Sequence, residues 1–133
     1  MILVTGGRGF LGGAIVRELL ARGETVRSLA RHPSAALAAA GVEEFIGDLA
    51  DPDLVERAVS GCRLVYHVAA KAGVWGAEAE FYRTNVEGTR NILSACRARG
   101  VTRLVYTSSP SVVFTGKDMA GVDESVPYPR PFH

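Results

Sequence analysis

The sequence predicts an α/β fold built on a doubly wound parallel β-sheet, and two observations favour it. Short apolar runs typical of strands buried on both faces alternate with segments of helical periodicity along most of the chain. The links between these segments are short, which indicates parallel strands joined by right-handed crossovers. We therefore expect five strands in the order 3-2-1-4-5.

Each strand and helix follows from its local pattern. The strand candidates are short, apolar and rich in β-branched or aromatic residues, whereas the helix candidates carry apolar residues three or four positions apart. The expected strands cover residues 2–5, 25–30, 43–48, 63–70 and 103–109. The expected helices cover residues 12–22, 33–40, 51–60 and 78–99, with end signals at Gly23, Gly41, Asp51, Pro52 and Gly61.

Length and composition narrow the classes of function. The 133 residues fit one domain, which we expect over residues 1–122, and the stretch 123–133 has three prolines and no periodicity, so we expect a loop or a disordered tail there. The net charge of +1, with both signs interspersed, disfavours nucleic acid and anionic membranes as partners. No segment approaches the ~20 apolar residues that span a bilayer, so no membrane span is expected.

Cysteine and histidine usage indicates the compartment and argues against a metal. Cys62 and Cys96 form no disulfide framework, so we expect a reducing cytoplasm and two small buried side chains. The three histidines are scattered without the spacing of metal ligands, so no metal site is predicted.

A glycine-rich stretch, VTGGRGFLGG at residues 4–13, follows the first strand and opens the first helix. The N–H groups and the dipole of a helix N-terminus favour a phosphate, and glycines let the backbone approach it. Two spacings compete, Gly6–Gly9–Gly12 and Gly7–Gly9–Gly12. The strand–turn–helix context predicts a dinucleotide site of the Rossmann type. A glycine-rich turn without a ligand is the alternative.

The end of the second strand bears on which dinucleotide binds. A carboxylate about 20 positions beyond the glycines would bind the ribose hydroxyls of NAD. The chain instead has Ala30 and then Arg31, and an arginine can clamp the 2′-phosphate of NADP. We therefore predict NADP, with NAD as the alternative, and a solvated surface arginine as the interpretation without a function.

Five motifs in order resemble the extended short-chain dehydrogenases/reductases. They are TGGRGFLG, GDLAD, HVAAKAG, NVEGTRNIL and YTSSPSVV. The first favours the Gly6–Gly9–Gly12 spacing and places Phe10 and Leu11 near the pyrophosphate. Within that family, HVAAKAGVWG, YTSSPSVV and DESVPYP are most similar to the 3β-hydroxysteroid dehydrogenase/isomerase-type branch, and particularly to bacterial members that act on 2-alkyl-3-oxoalkanoates.

The resemblance implies a role for residues in each motif. Asp48 would contact the adenine, Asn85 would brace the central sheet, and Ser109 would be the catalytic serine that hydrogen-bonds the substrate oxygen. The alternative for Ser109 is a local hydrogen bond that closes the strand. The residues expected to contact the cofactor are Gly6, Gly9, Phe10, Leu11, Gly12, Arg31, Asp48, Leu49, Ala69, Ala70, Lys71, Thr107 and Ser108.

The catalytic pair of the resembled family is missing from these residues. Its members use a tyrosine whose pKa is lowered by a lysine four residues later. None of the four tyrosines has a lysine at that spacing, since the lysines are Lys71 and Lys117. We therefore expect the NAD(P)-binding portion of a longer oxidoreductase with an apolar 3-hydroxy/3-oxo substrate. The sheet is then incomplete relative to the family, the substrate lobe is absent, and these residues bind cofactor without turnover.

Two other functions stay open. A nucleotide-sugar epimerase or dehydratase shares the cofactor domain, and KAGVWG after the fourth strand favours it less. A non-catalytic dinucleotide sensor that binds a protein partner would suit the missing pair. A homodimer is a further expectation from the resemblance.

Overall fold

The computed structural model describes residues 1–73 and 75–129, and in this part of the chain it contains one five-stranded sheet in the order β3-β2-β1-β4-β5. Every pair of neighbouring strands is parallel. The strands are β1 (Ile2–Thr5), β2 (Val26–Ala30), β3 (Glu43–Ile46), β4 (Leu64–His67) and β5 (Leu104–Tyr106). The predicted fold class, strand number and strand order are confirmed.

Helices connect the strands. At the start of the third helix, which begins at Pro52, the Asp51 carboxylate accepts hydrogen bonds from the N–H groups of Asp53 and Leu54, which confirms the predicted cap. Gly23 follows the end of the first helix with a φ of 76°, as expected of a C-terminal glycine. The helices are α1 (Phe10–Ala21), α2 (Ala35–Ala39), α3 (Pro52–Val59), α4 (Glu78–Phe81), a π-helical segment (Tyr82–Glu87), α5 (Gly88–Ala98) and a 3₁₀ helix (Pro110–Val113).

Strand β1 is buried on both faces and divides the core into two halves. Leu3 packs in one half with Val55 of α3 and Ile92 of α5. Val4, the next residue, packs in the other half with Val16 of α1. Because consecutive strand residues point to opposite faces of a sheet, a central strand covered by helices on both sides must be apolar throughout. This requirement explains the unbroken apolar run at the start of the chain.

The predicted C-terminal boundaries of two strands are wrong by three residues each. The sequence predicts strands over residues 63–70 and 103–109, whereas β4 and β5 end earlier. Beyond β4, the N–H groups of Val68 and Ala69 donate to Thr5 Oγ1 at 3.0 Å each, so a side chain takes over from the strand ladder. Beyond β5, the backbone turns into the 3₁₀ helix at a proline, which has no N–H to donate to a ladder.

The long helix predicted over residues 78–99 is present, and it is not α-helical throughout. Helical backbone covers the range, but the middle turn is π-helical. There the Thr89 hydroxyl donates to the Asn85 carbonyl oxygen at 2.7 Å, and the Asn85 side chain accepts from the backbone N–H of Lys71 at 2.8 Å. The wider turn lets Asn85 face the segment after β4 while Gly88 packs against Leu49.

The predicted tail is described in part. Residues 123–129 form no helix or strand, and residues 130–133 of the predicted tail lie outside the described part of the chain. The described part packs back on the 3₁₀ helix, since Val126 and Tyr128 share a cavity of about 460 Å³ with Val112. The division into a domain over 1–122 and a tail stays a prediction.

Replacing Gly88 with alanine is expected to destabilise the fold, although alanine is the better helix former. A Cβ at this position would lie 2.7 Å from Leu49 Cβ, which is the fixed root of a buried side chain. We expect Gly88→Ala to lower the free energy of unfolding by roughly 1–3 kcal/mol, measured by urea denaturation. Ser94→Ala, on the exposed face of the same helix, should stay within about 0.5 kcal/mol of wild type. Equal stability of the two variants would contradict the close packing.

Candidate cofactor-binding site

A cavity of about 490 Å³ opens at the carboxyl ends of β1, β2 and β4. Neighbours on both sides of β1 meet there, so it lies at the topological switch point where doubly wound sheets bind ligands. The cavity brings together ten of the residues predicted to contact a cofactor: Gly6, Gly9, Phe10, Leu11, Gly12, Arg31, Leu49, Ala69, Ala70 and Thr107.

The glycine loop is folded around one backbone carbonyl. The Gly9 N–H donates to the Gly6 carbonyl oxygen at 2.8 Å, and a Cβ on Gly12 would fall directly on that oxygen. Gly6 itself has a φ of 71°, and a Cβ there would lie 3.1 Å from the Ala69 backbone. The Gly6–Gly9–Gly12 spacing thus describes one tight turn against the end of β4. Gly7 faces β2 instead, where a Cβ would lie 2.6 Å from the Ser28 hydroxyl.

Helix α1 begins at this turn with Gly9 as its N-cap. Glycine has no side chain to accept hydrogen bonds from the first-turn N–H groups, so these donors can meet a ligand. Phe10 and Leu11 line the cavity from the same turn, and their side chains are exposed. The arrangement presents N–H groups and the positive end of a helix dipole to an anion.

Two arginines and a histidine line the cavity. Arg31 and His32 at the end of β2 line it, and Arg8 of the glycine loop joins them. Among the described residues that line this cavity, none is an aspartate or a glutamate. The fixed charge of the lining is therefore positive and favours a polyanionic ligand.

Asp48 lies beside the cavity and outside its lining, between Gly47 and Leu49, which line it. Its carboxylate accepts from the Ala50 N–H at 2.9 Å and pairs with Arg83 at 3.1 Å. The hydrogen bond from Ala50 and then the Arg83 guanidinium hold the pKa of this carboxyl below its usual value. The Asp48 carboxylate therefore forms its ion pair with Arg83, outside the cavity lining.

Lys71 is also outside the cavity lining. Its ammonium group pairs with Glu80 at 2.6 Å and lies 5.1 Å from the centre of the Phe81 ring. Its backbone is held by the Asn85 side chain, which accepts from the N–H at 2.8 Å and donates to the carbonyl oxygen at 3.0 Å. The Asn85 amide thus braces the segment after β4, which differs from the predicted contact with the sheet itself.

Residues of the serine motif after β5 line two different cavities. Thr107 lines the cavity at the switch point, whereas Ser108 is exposed and lines neither cavity. Ser109 caps the 3₁₀ helix: its Oγ accepts from the Ser111 N–H and lies 2.8 Å from the Ser111 hydroxyl. Its own cavity is the second one, walled by valines of the 3₁₀ helix and of residues 122–126. The local hydrogen bond considered as an alternative is present, and the catalytic role stays a prediction.

Sequence reasoning missed a buried polar cluster behind the cavity. His67, only 1% exposed, lies with Nδ1 2.8 Å from Thr5 Oγ1 and Nε2 3.0 Å from Thr89 Oγ1. Burial lowers its pKa to about 4, so the ring is neutral at pH 7. The available signal was its position: a histidine inside a strand buried on both faces needs polar partners. Arg8, in the middle of the glycine loop, was missed as a lining residue.

No group of three or more His, Cys, Asp or Glu side chains in residues 1–73 and 75–129 is arranged to hold a metal ion. Within the same ranges, the helices are too short or too polar to cross a bilayer. Cys62 and Cys96 are both free and buried, as expected of small core side chains.

A parallel sheet in this strand order, with a glycine turn at its switch point, is the architecture of a Rossmann-type dinucleotide-binding domain. The sequence profile of the 3-beta hydroxysteroid dehydrogenase/isomerase family matches residues 3–133. The chain therefore belongs to this family, which confirms the resemblance drawn from its motifs.

Two curated relatives illustrate the match. The chain is 47% identical to the 2-alkyl-3-oxoalkanoate reductase of Shewanella oneidensis, over 97% of this chain and 33% of the relative. It is 43% identical to a 3 beta-hydroxysteroid dehydrogenase/Delta 5→4-isomerase of Mycobacterium tuberculosis, over 99% of this chain and 38% of the relative. The chain thus spans about a third to two fifths of the length of these relatives.

Solved structures of the same class contain a similar domain. A short-chain dehydrogenase/reductase superfamily protein from Agrobacterium tumefaciens with bound NAD matches with a TM-score of 0.85 at 37% identity, over 96% of this chain and 38% of that one. The UDP-glucose 4-epimerase of Thermus thermophilus, in complex with NAD, matches with a TM-score of 0.82 at 35% identity, over 96% of this chain and 44% of that one.

Lowering the pH from 6.5 to 4 is expected to reduce stability through His67. The folded pKa is about 4 and the unfolded pKa is 6.5, so in this window the unfolded chain takes up a proton that the folded chain excludes. The free energy of unfolding therefore decreases as the pH is lowered through this window, and this group accounts for roughly 3 kcal/mol of the decrease. Urea denaturation of wild type and His67→Gln at stepped pH values measures it. The variant should lose less stability across the window, and equal slopes would contradict the buried neutral ring.

Proposed function

We propose that this chain is the dinucleotide-binding part of an NAD(P)-dependent oxidoreductase that transfers hydride between the nicotinamide and a 3-hydroxy/3-oxo substrate. One observation carries the proposal: the glycine turn at the switch point encloses a cavity whose charged lining is cationic. The names of its relatives, a 3-oxoalkanoate reductase and a 3β-hydroxysteroid dehydrogenase, supply the substrate class.

The residues present fit a dinucleotide. Gly6 and Gly12 keep the turn tight, because a Cβ at either position would meet Ala69 or the Gly6 carbonyl. The first turn of α1 would hold the pyrophosphate through its N–H groups. Leu49 and Ala69 would hold the adenosine half by apolar contact. When bound, the nicotinamide ring supplies the hydride, and the protein supplies its placement.

The finer proposal is a preference for NADP over NAD. Arg31 stands at the end of β2, where an NAD site has a carboxylate, and Arg8 and His32 line the same cavity. Guanidinium groups bind phosphate oxygens in a bidentate manner, so these side chains suit a 2′-phosphate. The two solved structures described above contain NAD, which makes NAD the alternative.

Ser109 is proposed to hold the substrate oxygen. It lies two residues after Thr107, which lines the cofactor cavity, and it lines the second cavity of about 460 Å³ together with four valines, Asp123 and Glu124. A serine hydroxyl there can donate to a ketone oxygen. The acid–base group that completes the reaction is not among these residues, since no tyrosine has a lysine four positions later.

A nucleotide-sugar epimerase is the second candidate, favoured by the similarity to the UDP-glucose 4-epimerase of Thermus thermophilus. The curated relatives named above share more identity, 43–47%, than this structure does at 35%. A cytoplasmic location is also proposed, supported by two free buried cysteines. A homodimer stays a prediction that sedimentation velocity can test.

The cofactor proposal is tested by calorimetric titration of the chain with NADP and NAD. Arg31→Ala should bind NADP about ten to a hundred times more weakly, because a hydrogen bond to a charged group contributes about 1.5–3 kcal/mol. Its affinity for NAD should change by less than about threefold, since no 2′-phosphate is present.

Arg97→Ala is the matched control, because Arg97 is an exposed arginine of α5 outside the cavity lining. Equal NADP affinity of the two variants would remove the case for NADP. Failure of the folded wild-type chain to bind either dinucleotide would overturn the site itself.

The 133 residues, saturated with NADPH, are expected not to reduce a 2-alkyl-3-oxoalkanoate, because they hold no Tyr and Lys at the required spacing. The measurement is the loss of NADPH absorbance, with the full-length Shewanella oneidensis reductase as a positive control. Turnover that scales with protein concentration and disappears in Ser109→Ala would contradict this expectation and would show a different acid–base group.

A further inference from the structure

The segment after β4, from Val68 to Lys71, lies between the glycine loop and the π-helical segment that joins α4 to α5. Ala69 and Ala70 in this segment line the cofactor cavity, and the Ala69 backbone is in close contact with Gly6. A small displacement of this segment would therefore change the width of the cavity. Its N–H groups are not held by the sheet, because β4 ends at His67.

The Thr5 hydroxyl holds one end of the segment and thereby fixes the direction of a hydrogen bond. Its oxygen accepts from the N–H groups of Val68 and Ala69, both at 3.0 Å. A hydroxyl has two lone pairs and one proton, so both lone pairs are used. The proton must then go to the third partner, His67 Nδ1, at 2.8 Å. His67 Nδ1 is therefore an acceptor.

A neutral imidazole that accepts at Nδ1 carries its proton on Nε2. This N–H donates to Thr89 Oγ1 at 3.0 Å. The Thr89 hydroxyl in turn donates to the Asn85 carbonyl oxygen at 2.7 Å. In each of these three hydrogen bonds the proton is donated in the same direction, from Thr5 of β1 to His67 of β4, from His67 to Thr89 of α5, and from Thr89 to the Asn85 carbonyl.

The relay ends at the other end of the segment. The Asn85 side chain holds both the N–H and the carbonyl oxygen of Lys71, at 2.8 and 3.0 Å. The π-helical segment places Asn85 there, and the preceding residue, Thr84, lines the cavity. π-Helical turns are frequent at functional sites, where the extra residue redirects side chains.

We propose that His67 is a positioning residue for the cofactor site, and that it acts as the Nε2–H tautomer in a one-directional relay Thr5–His67–Thr89–Asn85. The relay fixes both ends of the cavity-facing segment from Val68 to Lys71 at once. The inference rests on the proposed function only for the identity of the ligand, because the relay and its effect on the segment can be observed without one.

Thr89 offers a matched pair of variants. Thr89→Val keeps the shape and removes the hydroxyl, which leaves the Nε2–H without an acceptor. Thr89→Ser keeps the hydroxyl. Thr102→Val, at an exposed threonine outside the relay, controls for the change of residue type.

The first readout needs no ligand: ¹⁵N NMR of the His67 ring, and hydrogen exchange at the amides of Val68, Ala69 and Lys71. Wild type should show the Nε2–H tautomer at pH 7. Thr89→Val should exchange these amides about tenfold faster, as expected for the loss of about one hydrogen bond, and Thr89→Ser should stay within about twofold of wild type. An Nδ1–H tautomer in wild type, or equal exchange in the two Thr89 variants, would overturn the proposal.

The second readout is the Kd for the dinucleotide. Thr89→Val should weaken binding about five- to tenfold, while Thr89→Ser and Thr102→Val bind as wild type does. Equal Kd values for the two Thr89 variants would contradict the proposal that the relay positions the cofactor site. If the wild-type chain binds no dinucleotide, the proposed function fails, and the exchange and tautomer measurements still decide the relay. If Thr89→Val does not fold, two other measurements decide whether the relay exists. They are the His67 tautomer in wild type and the hydrogen exchange of the Val68, Ala69 and Lys71 amides in His67→Gln.

Discussion

The crowding around the Gly6 carbonyl is the constraint on which the rest of the structure depends. This oxygen accepts from the Gly9 N–H, and Gly12 lies against it with no room for a Cβ. The turn is tight because three positions lack side chains, so α1 begins within five residues of the end of β1. A helix that starts so close to the sheet directs its N-terminus at the switch point and leaves the cavity beside it.

The same crowding reaches the neighbouring strand. Gly6 contacts the Ala69 backbone, so the segment after β4 must be held at a fixed distance from the turn. Strand pairing cannot hold it, because the chain leaves the ladder at His67. Side chains do so instead, with Thr5 at one end and Asn85 at the other. The polar core behind the cavity is thus a consequence of how closely two backbones approach in front of it.

The sequence predicted the architecture well because the architecture follows from local patterns. Apolar runs and glycine positions indicate the elements and most of their boundaries, and the alternation of strands and helices with short links indicates the strand order. The errors occur where tertiary hydrogen bonds replace local ones. Apolar residues continue past the end of β4, and periodicity alone does not show that the N–H of Val68 donates to a side chain 63 positions away. The π-helical turn keeps a helical pattern of apolar residues, so only its contacts reveal it.

The predicted site shows the same division. Backbone-dominated positions such as Gly6 and Ala69 lie in the cavity as expected. Charged side chains are less predictable from motifs, because each takes the partner that the fold offers. Asp48 pairs with Arg83, and Lys71 pairs with Glu80, both outside the cavity lining.

This pairing determines the electrostatics of the cavity. The two charges that motifs assign to the cofactor site are neutralised by opposite charges beside it. Arg8 and Arg31 differ, because no carboxylate in the described part of the chain lies within ion-pair distance of either guanidinium. Both arginines line a cavity that has no carboxylate in its lining, so they attract an incoming anion, although Arg31 also interacts electrostatically with Asp48 and Glu80 outside that lining. Under the proposed function, the glycine turn would supply shape and N–H donors for a pyrophosphate, and these arginines would supply the charge that a further phosphate group needs.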